Sequence, residues 1–197
     1  MRKSLNSIRR EELVRATISV IAEGGLAGAT LASIAKRAEM SPALVNHYFD
    51  GKDELLALAL RRVSSLLRDE ILRLLPANPS PEQRLRAIID GNFQPKLYES
   101  DAQEAWLQFG LIFQEKGSQH LHRINRILGA RFKSNIGFAF RQAVPADQIG
   151  DAVDGLVALI DGFSWRFLMN PAHIEFDLAR RVCWDFAKHR LRGCSSV

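Results

Sequence analysis

The sequence predicts an all-α protein: an N-terminal three-helix domain over residues 1–50, a long fourth helix, and a C-terminal helical bundle within residues 51–197, about nine helices in all. Three observations predict it. Apolar residues recur at three- and four-residue spacings, as in Leu13, Val14, Thr17, Ile18 and Ile21, which is the period of an amphipathic helix. No stretch alternates apolar and polar residues long enough to make a strand. Capping residues, glycine pairs and prolines fall between the periodic stretches, where helices start and stop.

The first helix runs from about Ile8 to Glu23 and stops at Gly24-Gly25. Thr30 caps a second helix, Leu31 to Ala38. Ser41 caps a third, with Pro42 at its first position, where a missing N–H costs nothing. Asp50 caps the long fourth helix, Gly51 to Leu75, and Pro76, Pro79 and Pro81 mark its end. Ser80 with Gln83 and Ser100 with Gln103 form capping boxes that start the fifth and sixth helices, with Pro95 between them. The seventh begins at Ser118 and reaches about Ala143, where Val144-Pro145 breaks it. Asp147 opens the eighth, to about Met169, and Asn170-Pro171 leads into the ninth, to about Leu191.

Composition narrows the function. With 47% hydrophobic and 25% charged residues, the chain can bury a sizeable core. No apolar run approaches the roughly 18 residues of a membrane span. Arg2 and Lys3 precede no apolar segment, so no signal peptide is expected and the cytoplasm is the expected compartment. Cys183 sits in an apolar helical pattern and Cys194 in a polar tail, so no disulfide is expected. His120 and His122, two apart, point to different sides of a helix, and no zinc-like spacing occurs, so neither metal nor cofactor is expected. There is no Gly-rich phosphate loop and no nucleophile elbow, so an enzyme is not expected. The formal net charge is +5. Residues 1–52 hold eight Lys/Arg against five Asp/Glu, net +3, and the other 145 hold 19 against 17, net +2. A basic N-terminal quarter suits a polyanion, since counterion release drives such binding.

The second and third helices are separated only by Glu39 and Met40, the layout of a helix-turn-helix. In that motif the second helix enters the major groove of DNA. At about 100° per residue, Leu44, Val45, Tyr48 and Phe49 share one side of the third helix and are expected to pack inward. Ala43, Asn46 and His47 fall opposite, with Ser41 and Pro42 at the tip. Asn can bridge adenine N6 and N7, and Ala can touch a thymine methyl. Thr30 stands at a helix N-terminus, which favours a phosphate. Lys52, in the first turn of the fourth helix, is poorly placed for the helix dipole, and a phosphate would explain it.

The stretch from Thr30 to Lys52 (TLASIAKRAEMSPALVNHYFDGK), followed by Asp53-Glu54-Leu55-Leu56, resembles the tetracycline-repressor (TetR) family over the whole N-terminal quarter. The resemblance implies that Thr30, Tyr48 and Lys52 hold phosphates while Ser41 to His47 face bases. It also implies a homodimer built from the eighth and ninth helices of each subunit, to which the apolar run Val153, Leu156, Val157 and Ile160 is expected to contribute. Many members carry Tyr at the position of Asn46, which leaves the operator sequence open.

The C-terminal part carries aromatics at helical spacing. Trp106, Phe109 and Phe113 share a face of the sixth helix, Phe163 and Trp165 lie on the eighth beside Asp161, and Tyr98 precedes the sixth. Two readings stand: packed core, or a ligand pocket between helices. In the second, aromatic faces with one carboxylate suit a quaternary ammonium. A buried Asp161 would need a partner, and Arg166 is one candidate. The segments Ile88–Phe93, Ala105–Phe109, His120–Asn125, Lys133–Asn135 and Ala158–Gly162 resemble the BetI-type repressors of glycine-betaine synthesis, a subfamily that answers to choline. That resemblance implies a repressor of glycine-betaine synthesis genes, released by choline or a related cation. After Asp161-Gly162 the subfamily tends to show Leu-Trp-Leu-Arg, whereas this chain has Phe163-Ser164-Trp165-Arg166. The indole has moved one position, about 100° around the helix. A regulator answering to another ligand, and a DNA-binding protein without a ligand, are the alternatives. Release would be a population shift toward a form whose recognition helices no longer match the about 34–36 Å between successive major grooves, with the fourth helix as lever.

Overall fold

The computed structural model describes residues 5–110, 119–173 and 175–192. Among them all regular structure is helical, as the sequence predicts. In chain order the helices are α1 (Leu5–Gly28), α2 (Leu31–Arg37), α3 (Pro42–Tyr48), α4 (Lys52–Leu74), α5 (Pro81–Asn92), α6 (Pro95–Tyr98), α7 (Asp101–Gly110), α8 (Gln119–Phe140), α9 (Ile149–Met169) and α10 (Phe176–Arg192). Two 3₁₀ turns, Ala146–Gln148 and Pro171–His173, precede α9 and α10. Pro95 was expected only to separate two helices. It instead starts α6, a single turn, because its fixed φ suits the first helical position. Among the described residues no helix is long and apolar enough to cross a membrane.

The chain forms two compact units. One draws on the stretches Met1–Leu66 and Tyr98–Ile127, the other on Leu67–Leu97 and Leu128–Val197.

In the first unit α1 packs against α2, α3 and α7. Its inner face of Leu13, Ala16, Thr17, Val20 and Ile21 is buried. Thr17 is polar but satisfied: its hydroxyl donates to the Leu13 carbonyl at 2.7 Å. Helical dihedrals fail at Gly25 (φ 66°), a conformation that costs glycine little. A Cβ there would also meet the Gln108 side chain of α7 at 3.4 Å. Ser19 of α1 donates to the Asp101 carboxylate of α7, and Arg37 of α2 pairs with Glu23 of α1. α2 begins with a capping box. Thr30 Oγ1 accepts from the Ser33 N–H at 3.1 Å, and the Thr30 N–H donates to Ser33 Oγ at 2.9 Å.

In the second unit Phe93 is fully buried and meets Phe163 and Phe167 edge-on, each at 6.1 Å between ring centroids. Phe167 meets Phe176 at 5.4 Å. A Cβ on Gly91 of α5 would stand 2.6 Å from Ile71 Cγ1 and 3.1 Å from Ile71 Cα of α4. Only glycine allows that crossing. Beside it Glu70 takes Lys96 at 2.5 Å and Arg73 at 3.2 Å, and these partners, Lys96 first, hold its carboxyl below the usual range. Cys183 is core, as expected, and burial pushes its thiol up to about 12. One expectation is corrected. Of the apolar run expected to meet a second subunit, Val157 is half-buried, but Val153, Leu156 and Ile160 are buried within the chain itself, because the apolar side of α9 faces α10 and the phenylalanine cluster. They are not an open face for a second subunit.

The turn between α2 and α3 carries local strain. The N–H of Met40 donates to the Ala35 carbonyl and that of Glu39 to the Lys36 carbonyl, at 2.9 and 3.2 Å. This is the paired closure of a Schellman motif, whose C′ residue is left-handed and is usually glycine. Here it is Glu39, at φ 55°. Left-handed backbone costs an L-residue about 1–2 kcal/mol, partly offset by the greater chain entropy that glycine loses on folding. Glu39→Gly is therefore expected to stabilise the protein by about 0.5–1 kcal/mol, read as a rise in Tm of roughly 1–4 °C by circular dichroism. An unchanged or lower Tm would show that Glu39 has compensating contacts.

Candidate nucleic-acid interface and aromatic sites

α3 is seven residues long, capped by Ser41, whose Oγ accepts from the Leu44 N–H at 3.2 Å. Val45 and Phe49, one turn apart, are 0% and 2% exposed and face inward, while Tyr48 is half-buried. Ser41, Pro42, Ala43, Asn46 and His47 are all exposed on the outer side. The His47 ring meets the Tyr48 ring edge-on at 5.3 Å. Leu44 corrects an expectation. Helical spacing puts it on the packed side, but it is 36% exposed, because α3 is so short that two side chains one turn apart fill its contact with the unit. Leu44 joins the outer face as an apolar group suited to a thymine methyl.

Thr30 is exposed at the start of α2, its hydroxyl engaged by the Ser33 N–H. Lys52, at the start of α4, donates through Nζ to the Leu26 carbonyl at 3.2 Å. An ammonium has three donors, so two remain beyond that bond.

The far end of α3 is held from α1. Arg10 donates through one terminal nitrogen to the Tyr48 carbonyl and through the other to Glu54 Oε1 at 2.9 Å. Its guanidinium lies over the Phe49 ring, 4.1 Å from the centroid. Glu54 Oε2 also accepts the Asp50 N–H at 2.7 Å. That hydrogen bond first, and Arg10 second, keep the Glu54 carboxyl below the usual range, partly offset by burial. Helical spacing marks Arg10 only as polar, so the sequence did not single it out.

Of the aromatic candidates in the first unit, Phe109 is fully buried and Tyr98 and Trp106 are half-buried. Asn125 of α8 donates to the Phe109 carbonyl at 3.3 Å. Phe113 lies outside the described residues. In the second unit Asp161 and Trp165 share the outward side of α9, Trp165 at 36% exposure. Asp161 is exposed on this side, so it does not carry the full cost of a buried, unpaired carboxylate. The packing around its carboxyl still raises its pKa by desolvation, and Lys133 opposes that shift. Lys133 itself pairs with Asp154 at 2.7 Å, and Arg166 lies over the Phe163 ring at 5.5 Å. Phe163, not the indole, takes the inner position. Among the described residues no group of His, Cys, Asp and Glu could hold a metal ion.

Residues 13–59 match the bacterial regulatory proteins of the tetR family, and residues 81–192 match the BetI-type transcriptional repressor C-terminal domain. The HTH-type transcriptional regulator BetI 1 of Chromohalobacter salexigens is 36% identical over 193 residues, 98% of this chain and 95% of that protein. BetI of Klebsiella pneumoniae is 37% identical, over 95% of this chain and 96% of the relative. Among solved structures, a chain described as a TetR-family transcriptional regulator from Rhodococcus sp. superposes with a TM-score of 0.82 at 21% identity, covering 93% of this chain and 99% of its own. Another, described as a transcriptional regulator from Saccharomonospora viridis in complex with choline, has a TM-score of 0.78 at 23% identity, covering 94% and 98%.

Proposed function

The chain belongs to the tetR family of bacterial regulatory proteins, with the C-terminal domain of BetI-type transcriptional repressors, and from that premise we propose that it represses glycine-betaine synthesis genes in the cytoplasm and releases its operator when choline or a related quaternary ammonium binds. The observation that carries the DNA-binding half is the outer face of α3, where Ser41, Pro42, Ala43, Leu44, Asn46 and His47 are exposed while Val45 and Phe49 hold the helix from within. Asn46 is the base reader, most simply of adenine. Thr30, Tyr48 and Lys52 take phosphates. The kinship with BetI relatives over nearly the full chain supports the choline half.

A tetR-type repressor acts as a homodimer in this reading, through α9 and α10. With Val153, Leu156 and Ile160 buried in the chain, the surface offered to a second copy is the outward stripe Ala158, Gly162 and Met169, spread over three turns of α9. For a cation, Tyr98 and Trp106 offer aromatic surface in the first unit, and Asp161 with Trp165 offers a carboxylate and an indole in the second. The effector needs to favour the released form by only about 1–3 kcal/mol to weaken DNA binding roughly 5–150-fold.

Fluorescence anisotropy on DNA from upstream of the protein's own gene, at fixed salt, tests the reading. Choline is expected to weaken binding. Selective binding indifferent to choline would remove choline as effector. Asn46→Ala is expected to lose discrimination between this DNA and a random duplex, and an equal loss on both would remove the base-reading role. Lys52→Ala is expected to weaken both and to lower the slope of log affinity against log salt by about one. An unchanged slope would remove the phosphate contact.

A further inference from the structure

We infer that Arg10 and Glu54 are the positioning pair of the DNA-reading helix: they set where the outer face of α3 stands, and hence its sequence selectivity, without touching DNA themselves. The inference rests on the reading of α3 as the helix that contacts bases. Three features carry it. First, Arg10 serves three different groups at once: the Tyr48 carbonyl at the last residue of α3, the Glu54 carboxylate in the first turn of α4, and the face of the Phe49 ring. A planar guanidinium can stack on a ring while two separate nitrogens donate along its edge, a geometry that a single-nitrogen ammonium does not reproduce. Second, a carbonyl at a helix C-terminus has no partner within its helix, so the Arg10 bond fixes a group that the rest of α3 leaves free. Third, Glu54 closes the other side by accepting the Asp50 N–H at 2.7 Å. The link between α3 and α4 is thereby held from both directions, just where Gly51 turns through φ 96°.

An isolated ion pair with side chains 38% and 36% exposed would contribute little. This one matters for orientation because Val45 and Phe49 are the only buried side chains between Ser41 and Asp50. The rival role for Arg10 is a direct phosphate contact. One donor of each terminal nitrogen is committed to Tyr48 and Glu54, and the adjoining carboxylate weakens its field toward any phosphate.

The test uses two duplexes: one selected from a random-sequence pool by the wild-type protein, and one of random sequence. A wild-type preference for the first tests the underlying reading by itself, and lack of preference would remove that reading and the inference together. Given the preference, Arg10→Gln and Glu54→Gln are each expected to lose about tenfold in affinity for the selected duplex. Affinity for the random duplex, and its salt slope, should hold. The double variant should lose no more than the weaker single one, because the two groups act as a unit. Arg10→Lys, which keeps the charge but not the fork, should fail to restore selectivity. A phosphate contact predicts the reverse: equal loss on both duplexes for Arg10→Gln, a salt slope lower by about one, full rescue by lysine, and binding unchanged or tighter for Glu54→Gln. Any of these would overturn the inference. Should Arg10→Gln fail to fold, Glu54→Gln and Arg10→Lys decide it alone.

Discussion

Val45 and Phe49 hold a helix that could not exist by itself. A seven-residue segment does not recover the cost of helix nucleation in water, so α3 is a product of its surroundings. Ser41 caps one end, two apolar side chains seat the middle, and Arg10 grips the last carbonyl. The opposite side is thereby released from any structural duty. Ser41, Pro42, Ala43, Leu44, Asn46 and His47 are exposed, and exposed positions away from caps and strain change at little cost in stability. Of these Ser41 also serves the fold as the cap, and Pro42 as the first helical residue. The operator can therefore be respecified at the remaining positions without rebuilding the domain that presents them.

The same unit ties the reading head to an element outside it in sequence. α7 begins at Asp101, far from α1 along the chain, yet Asp101 accepts from Ser19 and Gln108 lies against Gly25. Residues such as Leu13, Ile21 and Phe109 are completely buried, and a close-packed interior transmits displacement rather than absorbing it. A shift of α7, which carries Trp106, would be felt at α1 and so at α2 and α3, against which α1 packs. The sequence points to α4 as the lever, since it is the covalent connection. The packing of α7 on α1 is a second route, and it depends on no covalent continuity.

Much of this was legible in the sequence for physical reasons. Caps and prolines act locally, so Thr30, Ser41 and Ser80 stand where their hydroxyls are needed. Helical periodicity identified Val45 and Phe49 as inward residues. It failed at Leu44, because a wheel treats a helix as indefinitely long and cannot show that the surrounding unit covers only one turn. It failed again at Val153, Leu156 and Ile160, where an apolar stripe was visible but not which partner covers it. Arg10 was illegible because its three contacts lie 38, 39 and 44 residues away, on groups that include a backbone carbonyl. No pattern of side-chain types reports on a carbonyl.

The displaced indole bears on where a cation could be held. With phenylalanine at position 163, the inner side of α9 completes a ring cluster with Phe93 and Phe167, and Phe167 extends it to Phe176. Centroid separations of 5.4–6.1 Å are those of rings in direct contact, and Arg166 and Arg180 already lie over Phe163 and Phe176, so this cluster is engaged by its own rings and by the chain's own cations. A quaternary ammonium needs an aromatic face within about 6 Å and some relief from water. Within the second unit, the aromatic on the open side of α9 is Trp165, one turn from Asp161. Asp161 already has its carboxyl pKa raised by desolvation, which means its ionised form lacks the stabilisation that water would supply. A permanent cation placed beside it would restore that stabilisation and pull the pKa back down, and by linkage the ionised form would hold the cation more tightly than the protonated one. Lys133 already offsets part of that desolvation, and a cation bound beside Asp161 would offset more of it, which would let this carboxylate favour a cation over a neutral ligand.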